Sequence, residues 1–357
     1  MDKFWIALSS IEELSSSFIQ RLYNHFGCIE KAFNANDLSE IDGLSIKKAE
    51  KFLRLRDKID PDKALQLVLD RGVKYFTFED EKYPLMLRNI DDAPSVLYYK
   101  GNLFDCNLDK TLAVVGSRRA TSYAKDALAK IISELNGTDI CIVSGLASGI
   151  DTTAHVSALD NNLKTIGVIA SGFDYTYPAA NKELYKRIQN GGGAVLSEYY
   201  PTFEPLKFRF PQRNRIVSGL SYGTLVAEAS LRSGALITSN LTLEQGRELM
   251  CIPGLITNPN TQGIYKLLKN GATLVTCADD VLEALGWEVK IEQKMLFEID
   301  LSEDEQLIFE ALEIEDKCFD ELQAFTRLSV DDLLTYLTTM ELKGIIKQVD
   351  GDRYRKI

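Results

Sequence analysis

The chain has 357 residues, 45% of them hydrophobic and 26% charged, with 52 acidic against 41 basic side chains and a formal net charge of −11. That length predicts two or three domains, and the composition is that of a folded protein rather than a disordered one. No stretch reaches the roughly 18 apolar residues a membrane span needs, and two histidines, His25 and His155, exclude a His-rich metal centre.

Residues 1–75 predict a helical domain, with apolar positions at helical spacing and Pro61 opening a late helix. The first residues, MDKFWIALSS, lack a basic head followed by an apolar run and a cleavage site. The six cysteines (Cys28, Cys106, Cys141, Cys251, Cys277 and Cys318) are scattered singly, as buried thiols of a reducing compartment are. Together these features predict a cytoplasmic protein. The run Ile41-Asp42-Gly43-Leu44-Ser45 is like a degenerate helix-hairpin-helix (SAM-like) turn, with Ser45 where a second glycine would stand. A purely structural helical domain fits it equally.

From residue 76 to 290 the texture changes to short apolar strands alternating with helices. The strands are expected at 112–115, 140–143, 166–169, 194–196, 224–227 and 249–252, with helices at 123–135 and 182–188. These strands are apolar on both faces, as in a helix-covered parallel sheet, so the expected class is a doubly wound α/β fold. A polar link at 288–294 leads to residues 297–357. There, three helices (303–312, 319–325 and 330–342) and a hairpin turning at 350–352 predict a winged helix. Residues 301–357 carry 14 acids and 7 bases, net −7, leaving −4 for the first 300 residues. A domain so acidic, with Asp331, Asp332 and Glu341 on its third helix, suits contact with protein better than with a phosphate backbone.

In open α/β sheets ligands bind beyond the carboxyl ends of strands, and three loops there are chemically loaded. Gly116-Ser117-Arg118-Arg119 joins a tight turn to a hydroxyl donor and a guanidinium that can clamp phosphate. Ser144-Gly145-Leu146-Ala147-Ser148-Gly149-Ile150-Asp151 enters a helix and offers a concave set of donors for an anion. His155 follows Asp151 by one helical turn, the spacing for a hydrogen bond between them, and is expected to brace rather than catalyse. Ser233 and Gly234 open a third helix. Between the second and third loops, Tyr175 and Tyr177 are candidates for base stacking.

The stretch Lys207-Phe208-Arg209-Phe210-Pro211-Gln212-Arg213-Asn214-Arg215 places four cations and no acid in an acidic chain. Such a concentration builds a local anion site against the global field. Aromatics between the cations suit single-stranded nucleic acid, whose phosphates take the charges while its bases stack. A solvated basic loop is the plainer alternative.

Gly116-Ser117-Arg118, Ser144 to Asp151 with His155, Tyr177-Pro178-x-x-Asn181, Phe210-Pro211-x-Arg213-Asn214-Arg215, Glu228-Ala229-x-x-x-Ser233-Gly234 and Glu244-x-Gly246-Arg247, in that order, resemble the DprA/Smf family of bacterial DNA-processing proteins. The resemblance implies a Rossmann-like core that binds single-stranded DNA, forms a homodimer and loads the recombinase RecA, in transformation or recombination. The residues themselves offer no metal cluster, no nucleophile–base pair at recognisable spacing and no phosphate-loop lysine, so no enzyme activity, cofactor or metal is expected. Carried over by position, the resemblance makes Ser117, Arg118, Ser144, Gly145, Lys207, Arg213, Asn214, Arg215, Ser233 and Gly234 the nucleic-acid-binding set. Arg118 would hold phosphate, Ser144 and Gly145 would offer donors, and Lys207, Arg213 and Arg215 would track the strand.

Two other readings stay open. A nucleotide-cleaving hydrolase would use Glu228 or Glu244, although the third loop reads Ala235-Leu236-Ile237-Thr238-Ser239-Asn240 where those enzymes have a glycine-rich run. A nucleotide sensor would signal to a partner through the acidic winged helix.

Overall fold

The computed structural model describes residues 1–41, 43–287, 301–312, 316–349 and 353–356. The link expected at 288–294 and the turn expected at 350–352 lie outside them. The chain forms two compact units, Met1–Lys290 and Ile291–Ile357.

The first unit begins with five helices: α1 (Asp2–Ser9), α2 (Ser16–Phe26), α3 (Ile29–Asn34), α4 (Ile46–Arg56) and α5 (Pro61–Asp70). Ser15 caps α2 by accepting from the Phe18 N–H, and Asp60 caps α5 ahead of Pro61, whose fixed φ suits a first helical turn. Trp5, Ile6, Leu8, Leu22, Phe52 and Val68 fill their shared core.

Nine strands follow in one sheet: β1 (Lys74–Thr77), β2 (Val96–Gly101), β3 (Thr111–Gly116), β4 (Cys141–Ser144), β5 (Lys164–Val168), β6 (Gly193–Ser197), β7 (Gly223–Glu228), β8 (Glu248–Cys251) and β9 (Thr273–Leu274). Their order is β1-β2-β6-β5-β4-β3-β7-β8-β9. From β6 to β9 all pairs are parallel, while β2 runs antiparallel to both β1 and β6. The six strands read from the sequence are all present within two residues at each end. Strands β1 and β9, the two sheet edges, and β2 beside β1 were not expected from the sequence. The domain boundary expected at residue 75 falls inside β1.

Connecting helices are α6 (Leu85–Arg88), α7 (Ser122–Glu134), α8 (Ile150–Asp160), α9 (Lys182–Arg187), α10 (Arg209–Gly219), α11 (Ala235–Glu244), α12 (Gln262–Lys269) and α13 (Ala278–Leu285). Alternation along each strand separates two cores. Leu112 and Val114 face Leu128, Ile132, Ile150 and Val281 from α7, α8 and α13. Ala113 and Val115 face the other side, with Ile216 and Val217 of α10 and Ile264 of α12. Strand β2 serves two cores as well, giving Leu97 and Tyr99 to the sheet core and Val96 and Tyr98 to the N-terminal helices.

The chain builds the sheet outward from β3 through β4 and β5 to β6, then returns so that β7 lies beside β3. Connections therefore leave β3 and β7 in opposite directions, which opens a crevice at their carboxyl ends.

The second unit holds α14 (Glu303–Ala311), β10 (Lys317–Cys318), α15 (Phe319–Thr326), α16 (Val330–Leu342), β11 (Ile346–Val349) and β12 (Arg353–Lys356). Strand order is β10-β12-β11, and Ile308, Leu322, Leu333, Leu337 and Ile346 make its core. Three helices against a small antiparallel sheet are a winged helix. The 317–318 strand was too short to be seen in sequence.

Candidate nucleic-acid interface

The crevice at the β3–β7 switch point has a volume of about 710 Å³. Of the ten residues expected at the site, seven line it: Ser117, Arg118, Lys207, Arg213, Asn214, Ser233 and Gly234. Ser144, Gly145 and Arg215 do not.

Residues 117–121 form the turn between β3 and α7. The Ser117 N–H donates to the Glu228 carbonyl at 2.9 Å, and the Ser117 carbonyl accepts from the Ile150 N–H at 3.2 Å. Ser117 Oγ accepts from the Arg119 N–H at 3.1 Å, which tightens the turn. Arg118 and Arg119 stand exposed at its tip. The Arg118 guanidinium lies 5.3 Å from the Phe210 ring centroid, and Tyr177 meets Phe210 edge-on at 5.3 Å. An exposed cation is thus held over an aromatic surface at the mouth of the crevice. Tyr177 is 47% exposed.

In the second loop, expected to cradle an anion, Ser144 and Gly145 are buried. Ser144 Oγ donates to the Val114 carbonyl at 2.6 Å inside the sheet. A Cβ at Gly145 would sit 2.6 Å from Arg213 Nη2, so glycine here makes room for an arginine. Gly149, at φ +83°, would bring a Cβ within 2.3 Å of the Ser117 carbonyl oxygen; its bareness lets the first two loops touch. From this loop only Ala147 and Asp151 reach the crevice. Asn181 ties the Tyr177 loop to it, donating from Nδ2 to the Leu146 carbonyl at 2.9 Å.

The basic stretch is not an open loop: from Arg209 onward it is α10, and the helix sorts its cations. Lys207 is exposed on the crevice side. Arg209 is 2% exposed, donates to Glu12 and to the Glu204 carbonyl, and stacks on Tyr199 and Phe203 at 4.8 and 5.0 Å. Arg213 is 4% exposed and donates to the carbonyls of Gly145, at 2.6 Å, and Val168. Arg215 is 8% exposed and forks onto Glu198 at 2.6 and 3.0 Å, with Asp92 at 2.8 Å from its Nε. It faces a smaller cavity on the far side of α10, of about 290 Å³, bordered by residues 9–19 of the N-terminal helices. Arg215, expected to track the strand, has its fork closed by acids and turned from the crevice. Arg213 reaches the crevice only as part of its floor.

Burial sets the electrostatics of that floor. Burial pushes the Asp151 carboxyl up, with the Arg213 charge opposing, and pulls the Arg213 guanidinium down, with Asp151 opposing. For Arg215, burial is outweighed by Glu198 and Asp92 together, which hold its pKa above the ordinary arginine value. His155 does not bond to Asp151 as expected. Its Nδ1 meets Thr165 Oγ1 at 2.7 Å, and Thr165 donates its own proton to the Ile142 carbonyl. Nδ1 must then carry the hydrogen, leaving a buried Nε2 without a partner among the described residues. Burial first, and Arg213 second, push this imidazole down to about 3.

On the third side, Ser233 Oγ accepts from the Ala235 N–H at 3.2 Å at the start of α11. Ser230, Thr238 and Asn260 complete the wall. Asn260 carried no sequence signal, because it enters from the loop after β8, outside any phosphate-like motif. Neither Glu228 nor Glu244 lines the crevice. No helix among the described residues is long and apolar enough to cross a membrane.

A sequence model of the DNA recombination-mediator protein A family matches residues 74–286, and one of the DprA winged helix domain matches residues 298–352. The DNA processing protein DprA of Streptococcus pneumoniae is 49% identical over 207 residues, which are 58% of this chain and 72% of that protein. Protein Smf of Escherichia coli is 34% identical over 362 residues, covering 99% of this chain and 95% of the relative. The solved structure of S. pneumoniae DprA superposes with a TM-score of 0.69 at 36% identity, over 81% of this chain and 99% of that one. A second, of the Helicobacter pylori protein, described for its single-stranded DNA binding mode, gives a TM-score of 0.53 at 30% identity over 59% and 95%. With a Rossmann-like core and a winged helix both matched to it, this chain belongs to the DNA recombination-mediator protein A family, that of the DNA processing proteins DprA and Smf.

Proposed function

We propose that this chain binds single-stranded DNA along the β3–β7 crevice, in DNA processing for transformation and recombination. Arg118, Arg119 and Lys207 take successive phosphates, and Phe210 and Tyr177 offer rings to the bases. The observation that carries this reading is the convergence of these exposed cations on one crevice of an acidic protein. The binding described for the H. pylori relative supports it. Arg213, Asn214, Ser233 and Gly234 shape the floor and wall, while Ser144, Gly145 and Arg215 hold the scaffold behind them.

Delivery of the bound strand to RecA by a homodimer is part of the same proposal. Two crevices on one strand would raise effective concentration with no additional binding groups. Membership of a recombination-mediator family supports this step.

Fluorescence anisotropy with labelled oligo-dT and a matched duplex tests the binding. The expected result is preference for the single strand and an affinity that falls steeply with salt. Equal affinity for both, or no binding at low salt, contradicts it. RecA filament assembly on strands coated by a single-strand-binding protein, with and without this chain, tests the delivery.

A further inference from the structure

We propose that Glu228 is the positioning residue of the arginine turn, fixing residues 117–121 in the conformation that presents Arg118 and Arg119 to phosphate. The inference rests on the crevice being the strand-binding site. Glu228 ends β7 and is 1% exposed, so its side chain is placed inside the protein. It grips the turn at both ends. Its backbone carbonyl accepts from the Ser117 N–H at 2.9 Å. Its Oε2 accepts from Thr121 Oγ1 at 2.7 Å and from the Thr121 N–H at 3.3 Å. The register between β3 and β7 shifts at this point, pairing Gly116 with Glu228, so the turn leaves the sheet from an irregular ladder.

Thr121 passes the restraint on. With its hydroxyl proton given to Glu228, Thr121 Oγ1 accepts from the Ala124 N–H at 3.3 Å and so caps α7. The backbone carbonyl of Glu228 thereby sets the start of the turn, and its carboxylate sets the end of the turn and the first turn of the following helix. Arg118 and Arg119 lie between the two anchors and have no ion-pair partner among the described residues. The conformation of their backbone therefore depends on what holds residues 117 and 121. Glu228 Oε1 is buried without a partner among the described residues. Such an orphan is costly, and the costly group is kept where its other oxygen holds Thr121, at the end of the turn that carries the exposed arginines.

The test is oligo-dT affinity at fixed salt for the full chain and five variants, with thermal melting as the check on folding. Glu228→Ala is expected to weaken binding about tenfold, the equivalent of one hydrogen bond to a charged group. Glu228→Gln keeps an acceptor for Thr121 and should stay within about threefold of the unaltered chain. Thr121→Val should weaken binding as Glu228→Ala does, and decides the matter should Glu228→Ala not fold. The Arg118→Ala/Arg119→Ala pair supplies the background for a double-mutant cycle. Adding Glu228→Ala to that pair should cost nothing further, because the turn then has no guanidinium to position. A merely structural glutamate would cost as much in that background as in the unaltered chain, and that result overturns the proposal, as does undiminished binding by Thr121→Val. If the unaltered chain fails to bind, the crevice reading itself falls; if it binds and only the arginine pair matters, the positioning role alone falls.

Discussion

Arg118 and Arg119 stand in solvent on a five-residue turn, whereas Arg209, Arg213 and Arg215 on α10 are 2%, 4% and 8% exposed. Both segments read as phosphate clamps in the sequence, and both carry guanidiniums beside aromatics. What separates them is the acceptors that folding brings. Glu12, Glu198, Asp92 and the carbonyls of Gly145 and Val168 close on the α10 arginines, from residues 45 to 197 positions away for all but Glu198. Among the described residues, no such acceptor reaches the guanidiniums of the turn. Guanidinium forks serve an internal carboxylate or carbonyl as readily as a phosphate, so the residue type alone cannot say which it will find.

The comparison predicts opposite consequences for similar substitutions. The largest effect is expected at Arg215→Ala, which leaves Glu198, 10% exposed at its side chain, without its fork. Loss of one partner of a buried pair costs about 3–5 kcal/mol. An unfolding free energy from urea titration lowered by less than a third of that would break the contrast. Next comes Gly145→Ala, whose Cβ would press on the Arg213 guanidinium. Overpacking of that kind costs about 1–3 kcal/mol in the same titration, while a packing-neutral outcome would show that Arg213 can move.

His155 sharpens the contrast through pH. Its folded pKa of about 3 lies below the unfolded value of about 6.5. The neutral form is the one that folds, so its stabilising contribution is complete above pH 6.5 and is lost as pH falls toward 3. Over that window the slope contributed is at most about 1.4 kcal/mol per pH unit. In His155→Asn the slope between pH 6 and 4 should flatten relative to the unaltered chain; an unchanged slope means the imidazole is not held neutral. The smallest stability effect belongs to the turn: Arg118→Ala/Arg119→Ala should change folding free energy by no more than about 0.5 kcal/mol.

The layering of the fold was legible because parallel strands buried on both faces leave apolar runs, and all six appeared where 112–115 through 249–252 predicted them. The antiparallel edge β1-β2 was not, since Lys74 and Tyr75 lack that pattern and the strand is recognised only by its pairing with β2. At the site, the turn at 117–121 and the start of α11 were visible because glycine and serine after a strand imply exposed donors. The duties of Gly145 and Ser144 were not, because they depend on Arg213 and Val114, which sequence distance hides. Helical periodicity along 207–215 separates Lys207, Phe210 and Asn214 from Arg209, Gln212 and Arg215, but the density of charge in that stretch masks the division.

The most direct test of the account compares oligo-dT binding by the unaltered chain and by Arg118→Ala/Arg119→Ala/Lys207→Ala across a salt series. The account predicts a folded variant with much weaker binding and a salt slope flattened by about 0.7 for each phosphate no longer neutralised. Unchanged affinity and slope would contradict it, and would place the strand somewhere other than the β3–β7 crevice.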